Sequence, residues 1–338
     1  MHKGRDDAIG SAVADDAATS RAACPFDLSQ EDLRQARRFN RLLSWMPRFK
    51  TGRRWNARLV QIATRTWHAL TPDVRRLRSQ VSVLTMPDRP LSIRVTHPSG
   101  RARALVVHFH GGAWVMGDAR LEDRLASQIA ADCGAAVAVI DFRNATDDNL
   151  ARTLEDTLAA TQWLATDIAR FGVSHIVLSG ESSGAHLAME ALFHLRAVGC
   201  GHVVKGFYAI CGAFDLKGSP SLRQSTPESL LIDGPSALEN LRRLTPSLPE
   251  EKRGGPAEGN FEGLPQALLI AGRLDPIADD SIEVFRRWRR AGGDVRCILV
   301  PEAVHGFNRM PTALAAKTNR FARQWMRTII APVAEEPP

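Results

Sequence analysis

The chain has 338 residues, of which 44% are apolar and 24% charged, and it carries a formal net charge of +7. That size holds one large α/β domain with a smaller accessory layer, or two modest domains, with the composition of an ordinary soluble globular protein. No apolar run approaches the roughly 20 residues of a membrane-spanning helix. The five cysteines are scattered, odd in number and never spaced Cys-x-x-Cys, which argues against a disulfide framework and against a zinc site.

Residues 1–27 read as a disordered N-terminus. They are poor in apolar side chains and lack the apolar core of a signal peptide, so a cytoplasmic location is expected by default. Residues 28–78 have helical spacing, with Trp55, Leu59 and Ile62 on one face. Between Glu31 and Arg78, thirteen Lys or Arg stand against three acids (Glu31, Asp32 and Asp73), a local charge of +10. Leu42, Leu43, Trp45, Met46, Phe49 and Trp67 are interleaved with the arginines. No nucleic-acid-binding motif accompanies the charge, so no nucleic-acid partner is expected. The segment reads as an amphipathic helical cap with an Arg-rich polar face, and peripheral contact with an anionic lipid surface is the second reading.

From residue 79 the texture changes to short β-branched runs separated by helical stretches. Strands are expected at 81–85, 91–96, 104–109, 136–141, 175–179, 203–210, 267–271 and 295–300. Helices are expected at 121–132, 150–171, 185–198, 281–291 and 311–330. The turn at 87–90 makes the first two strands an antiparallel pair. The later alternation requires right-handed crossovers and a mostly parallel sheet. Runs such as Ala-Leu-Val-Val at 104–107 suit strands covered on both faces. The interval 215–264 offers Gly, Pro and Ser and one helical stretch near 237–244, and reads as a cap insertion in a domain spanning 79–330. Residues 331–338 read as a loose tail.

Gly180-Glu181-Ser182-Ser183-Gly184 stands between an expected strand and an Ala-rich helix. A serine in such a strained turn needs small residues two positions either side, so that strand and helix can approach. The helix start then presents the Ser183 N–H to a developing oxyanion. His110-Gly111-Gly112-Ala113-Trp114 follows the strand at 104–109, and its glycines allow two further N–H donors to turn toward one point. Without chemistry, each motif is simply a glycine-rich turn. His108 and His110 resemble a metal pair, but no third ligand has suitable spacing. Asp275 and His305 follow the strands at 267–271 and 295–300, in the loops where parallel sheets bind and react. The chain order Ser, Asp, His is that of one serine-hydrolase fold. Asp279 and Asp280 are rival acids that also suit the first turn of the next helix.

Together these motifs resemble the hormone-sensitive-lipase-like branch of esterases and lipases. That family carries His-Gly-Gly-Gly, then Gly-x-Ser-x-Gly, Asp-Pro-Leu and His-Gly-Phe; here they stand at 110–113, 180–184, 275–277 and 305–307. The resemblance covers about 80–330, with 28–78 in place of the family's N-terminal cap helices. It implies an α/β-hydrolase fold, catalytic Ser182, Asp275 and His305, and oxyanion donors Gly111, Gly112 and Ser183. Trp114 and Glu181 are expected to contact substrate. Two departures stand out. Ala113 replaces the third glycine, able to donate its N–H if φ is negative, as in variants similar to arylformamidases. Residues 141–146, Asp-Phe-Arg-Asn-Ala-Thr, replace Asp-Tyr-Arg-Leu-Ala-Pro. The expected activity is cleavage of a carboxylic ester of a small or medium acyl group through an acyl-enzyme, with no metal or organic cofactor. Amide, formamide or lactone cleavage by the same residues is the alternative, and a non-catalytic ligand-binding member a third. The expected partner is a small-molecule ester, with a homodimer left open.

Overall fold

The structure, a computed structural model, describes residues 24–46, 48, 50–70, 80–226 and 229–331. Residues 1–23 of the expected disordered N-terminus, Phe49, the end of the basic stretch from 71 to 78, and 332–338 of the tail lie outside the described residues, as does the side chain of Trp67.

Eight strands form one sheet: β1 (Val81–Thr85), β2 (Ser92–Thr96), β3 (Leu105–Phe109), β4 (Ala136–Ile140), β5 (Ile176–Glu181), β6 (Val204–Ile210), β7 (Gln266–Gly272) and β8 (Val295–Val300). Their order is β1-β2-β4-β3-β5-β6-β7-β8. β1 pairs antiparallel with β2, and β2 antiparallel with β4; every pairing from β4 onward to β8 is parallel. The eight-stranded, mostly parallel sheet expected from the alternation is therefore the one observed.

Two-residue periodicity sorts the strand side chains onto opposite faces. Leu105, Val107 and Phe109 of β3 join the core beneath α4 (Leu150–Thr166), α5 (Ser183–Ala197) and α8 (Ala278–Arg290), with Leu154, Leu192 and Trp288. Val106 of the same strand faces the other way, with Val137, Val177 and Leu268, toward α3 (Asp123–Cys133) and α9 (Ala313–Ile330), which supply Ile129, Trp325 and Met326. Burial on both faces explains why β3, β4 and β5 are apolar almost throughout.

The basic N-terminal stretch forms two helices with different surroundings. Ser29 starts α1 (Gln30–Leu43) with a capping box, its hydroxyl accepting from Asp32 N–H while the Asp32 carboxylate accepts from Ser29 N–H. α1 lies along α9 and reaches the loop after β8. Lys317 Nζ is 2.7 Å from Asp32, Asn40 Nδ2 donates to Glu302 O at 2.9 Å, and Ala313 N–H donates to Gln35. α2 (Arg54–Leu70) instead reaches the loop after β3. The expectation of one cap over 28–78 thus divides in two.

Between β6 and β7 the structure places two helices, α6 (Pro220–Gln224) and α7 (Gly234–Leu244), where one was expected. α7 begins three residues early because Asp233 accepts from Ser236 N–H and a proline occupies the first turn. The stretch expected as one helix over 150–171 ends at Thr166, and a 3-10 turn, Ile168–Phe171, then closes on Gly172 with φ 66°.

Candidate active site

β5 delivers Ser182 at φ 54° and ψ −123°, immediately before α5. The flanking glycines are sterically required. A Cβ on Gly180 would lie 2.4 Å from Gly184 O, and one on Gly184 would lie 2.1 Å from Phe109 O. The sharp turn lifts the hydroxyl to His305, whose Nε2 is 2.9 Å from Ser182 Oγ. His305 Nδ1 is 3.1 and 3.0 Å from the two carboxylate oxygens of Asp275. A carboxylate only accepts, so Nδ1 carries the proton and Nε2 is left to accept from the serine. Ile277 N–H fixes Asp275 Oδ1 at 3.0 Å, and the Asp275 side chain is fully buried. Burial opposes the imidazolium of His305, but Asp275 outweighs it and raises its pKa above the ordinary histidine value.

Ser183 is the first residue of α5, so its N–H has no carbonyl one turn earlier to bond. The loop after β3 comes to Ser182 from the other side: a Cβ on Gly111 would stand 3.3 Å from Ser182 Cβ. Here Gly112, Ala113 and Trp114 have φ of 126°, 51° and 64°. The condition set for Ala113, a negative φ, is therefore not met. Two consecutive non-glycine residues in the left-handed region cost about 1–3 kcal/mol each, and cross-bonds to their carbonyls hold them there. Val115 and Met116 N–H both donate to Gly112 O, Asn240 Nδ2 to Ala113 O, and Ala145 N–H to Trp114 O. Gln61 of α2 grips Gly117 twice, Nε2 donating to its carbonyl at 3.0 Å and Oε1 accepting its N–H at 2.8 Å. Asn144 Nδ2 reaches the same carbonyl at 2.8 Å. With the carbonyls engaged, the Gly111 and Gly112 N–H groups donate to no acceptor among the described residues.

The departure at 141–146 sits in this scaffold. Phe142 stacks on His110 at 4.2 Å between ring centroids, and Asn144 and Ala145 make two of the cross-bonds. His110 is fully enclosed, and burial depresses its pKa. His108 contacts Ser179 Oγ at 3.0 Å and stands 3.4 Å from Glu122. The Nδ1 atoms of the two histidines tie strand and loop, His108 to Ser179 and His110 to Gly111 O at 2.8 Å. The one group of potential ligands among the described residues is Cys211, Asp275 and His305. Asp275 and His305 are bonded to each other there, and burial first, then Asp275, push the Cys211 thiol well up, which keeps it a neutral neighbour.

A cavity of about 60 Å³ opens beside Ser182 and Ser183. Trp114 lines it, with Leu222, Ile232, Leu241 and Ile277 as apolar walls and Thr51, Asn240, Asp215 and Asp280 as polar ones. The Trp114 indole N–H donates to His186 Nδ1 at 3.3 Å; burial pushes that imidazole down to about 3, so it remains a neutral acceptor.

Glu181 requires correction as a substrate contact. Its side chain turns away from the cavity. Arg309 Nε donates to Oε1 at 2.6 Å and Asn308 Nδ2 to Oε2 at 2.8 Å, while Arg309 also bonds both oxygens of Glu122. Strand alternation explains the placement, since neighbouring residues of β5 face opposite sides. Asp279 and Asp280 also differ from expectation. They occupy the first turn of α8, but their side chains bond the insertion: Asp279 accepts from Ser221 N–H at 2.9 Å, and Asp280 Oδ2 from Phe214 and Asp215 N–H at 2.6 and 2.8 Å.

Asp280 Oδ1 has no hydrogen-bond partner among the described residues, and burial pushes this carboxyl up to about 7. Its charge is one of those that raise His305. The acid limb of kcat/KM is therefore expected above the ordinary histidine pKa, and Asp280→Asn is expected to move it to lower pH by removing a stabiliser of the imidazolium. A pH profile measured on a soluble ester checks both; an unmoved limb would remove Asp280 from the electrostatics of the base.

Cys211, Gln61 and Arg309 were not singled out as site residues by their sequence context. Cys211 had a usable signal, its place at the C-terminal end of β6. Gln61 had a faint one, a polar residue four after Ala57 on the inward side of α2, both buried.

A mostly parallel sheet with a strained serine between β5 and its helix is the arrangement of α/β hydrolases. The family described as alpha/beta hydrolase fold matches residues 106–309, and the chain belongs to it. This bears out the resemblance read from the motifs. The chain is 27% identical over 231 residues to the esterase LipI of Mycobacterium tuberculosis, covering 65% of this chain and 72% of that one. It is 27% identical over 215 residues to an acetyl-hydrolase of Streptomyces hygroscopicus, covering 63% and 70%. Its fold matches the crystal structure of esterase LipW from Mycobacterium marinum with a TM-score of 0.77, at 20% identity over 89% of this chain and 98% of that one. No helix among the described residues is long and apolar enough to cross a membrane.

Proposed function

We propose that the protein hydrolyses small-molecule carboxylic esters of short acyl groups through an acyl-enzyme on Ser182. The observation that carries this reading is the bonded series Ser182–His305–Asp275 at a narrow apolar cavity, faced by uncommitted N–H groups. His305 takes the proton from Ser182 as its oxygen attacks the acyl carbonyl, and Asp275 holds the imidazole in the required tautomer. The tetrahedral oxyanion is met by Ser183, Gly111 and Gly112 N–H. The ester C–O bond then breaks as His305 returns the proton to the departing alkoxide. Water, deprotonated by the same base, releases the acid and restores the serine. Thr51 and the 215–264 insertion act as the cap, since Thr51, Leu222, Ile232 and Leu241 close the cavity around the acyl group.

The apolar walls close to Ser182 favour a short acyl chain over a long one. In a p-nitrophenyl ester series from acetate to dodecanoate, kcat/KM is expected to peak at acetate or butyrate. It should fall on the order of tenfold or more for each methylene beyond the walls, with Ser182→Ala as the blank. Faster turnover of dodecanoate would overturn the short-acyl reading. An anilide cleaved as fast as its matched ester would shift the assignment to an amidase.

A further inference from the structure

The basic N-terminal stretch plays no part in the chemistry above, yet its surface is unlike the rest of the molecule. Eleven large apolar side chains are exposed among the described residues, and seven lie between Leu42 and Leu70. Trp45 is 88% exposed and Trp55 57% exposed, and Leu42, Met46, Leu59 and Ile62 all exceed half. Scattered exposed apolar residues are ordinary, but three on one helix face, as Trp55, Leu59 and Ile62 are, mark a contact surface. The stretch's own charge has one sign, although Glu239 of the insertion stands against Gly52. Residues 33–72 contain ten Lys or Arg and no Asp or Glu, and Arg41, Arg53, Arg54, Arg58 and Arg65 are exposed.

α2 shows how the two sides divide. Ala57 and Gln61, four apart, are buried against the hydrolase domain, whereas Trp55, Leu59 and Ile62 occupy the outward face. The inward side belongs to the candidate site: Thr51 lines the cavity and Gln61 grips Gly117. The Gly52 N–H donates to Ser236 Oγ at 2.9 Å, and Arg243 Nε to Gly52 O at 3.1 Å, so the segment is fastened to the insertion as well.

We propose that the outward face of residues 42–65 docks the protein on anionic lipid bilayers, with the Ser182 cavity directly behind the docked surface. Aromatic and aliphatic side chains flanked by arginines are what the headgroup boundary accommodates, with the rings and branched chains below and the guanidinium groups among the phosphates. The aliphatic members, Leu42, Met46, Leu59 and Ile62, gain nothing from a nucleic acid, which would use aromatic stacking and phosphate contacts. A second copy of the chain is disfavoured by charge, because a two-fold contact sets like surfaces against each other. The docking itself does not depend on the esterase reading; only its placement of an ester-cleaving cavity does.

The test is co-sedimentation of the full chain with vesicles of phosphatidylcholine, with and without phosphatidylglycerol, at low and high salt. Binding is expected to require the anionic lipid and to weaken with salt. Arg53→Glu with Arg54→Glu should weaken it on the order of 100-fold, from about 1 kcal/mol per basic residue near such a surface, and Trp45→Ala with Trp55→Ala about tenfold or more. Both variants should hydrolyse p-nitrophenyl acetate at the wild-type rate, which shows the fold intact and reads the catalytic proposal separately. Binding indifferent to lipid charge, no binding to either vesicle, or variants that bind like wild type would overturn the proposal. So would tryptophan variants that lose only self-association, or a face that binds duplex DNA and not vesicles.

Discussion

Ser182→Ala is expected to fold normally and to lose about 10⁶ in kcat on p-nitrophenyl acetate, with residual turnover left to the oxyanion donors and binding. The substitution removes one oxygen from a side chain whose strained backbone is held by its neighbours. Ser182 N–H donates to Ile210 O, and its carbonyl accepts from Ala185 and Ala213 N–H. None of these bonds involves the hydroxyl. His305→Ala should cost a similar factor and the double variant little more, because the two groups act on one proton. Steady-state kinetics beside circular dichroism separates lost chemistry from lost structure. Independent, multiplying losses would mean that His305 is not the base for Ser182.

Arg309→Met is expected to lower unfolding stability by about 3 kcal/mol, at the low end of the cost of stranding buried charge. Glu122 and Glu181 have side chains only 2% and 7% exposed, and Arg309 is the cation bonded to both. Burial opposes ionisation of Glu122, yet Arg309, followed by His108, holds its carboxyl well below the usual carboxylate range. The carboxylates likewise outweigh burial and raise Arg309 itself. Arg309 keeps 40% of its side chain exposed, which moderates the effect because water reaches the gap. Urea unfolding of wild type and variant measures it. A loss below about 1 kcal/mol, the scale of a surface ion pair, would show that solvent already carries this cluster. Since Glu181 precedes Ser182 directly, the variant should also lower kcat more than it raises KM.

The strands were legible because burial on both faces leaves apolar runs, as in 104–107 and 267–270. That Ser182, Asp275 and His305 come together was legible because each position has a local trace: two small flanking residues, or a place just beyond a strand. What escaped depended on contacts distant in sequence. Nothing near Gln61 signals that its amide meets Gly117, 56 residues later. Glu181 was misplaced because a motif shows which residues neighbour the nucleophile and not which side of the strand they face. The acids at 279 and 280 were placed correctly in the first turn of a helix, but their partners lie in the insertion, whose course carries no periodic signal. Ala113 could not be given its φ of 51° from identity alone, because four distant donors hold the loop.

The Gln61 grip on Gly117 bears on how this catalyst could be cut down or recombined. A chain started at residue 79 would contain the sheet, both cores' strands and the bonded series Ser182–His305–Asp275. It would lack the amide that accepts the Gly117 N–H, leaving Asn144 alone on the Gly117 carbonyl and one end of the strained 112–117 loop less firmly held. Such a fragment would be a hydrolase in composition and a weak one in practice. The same reasoning limits grafting: an N-terminal segment borrowed from a relative must carry a bidentate amide at this register, however well its surface suits a new substrate or a new membrane.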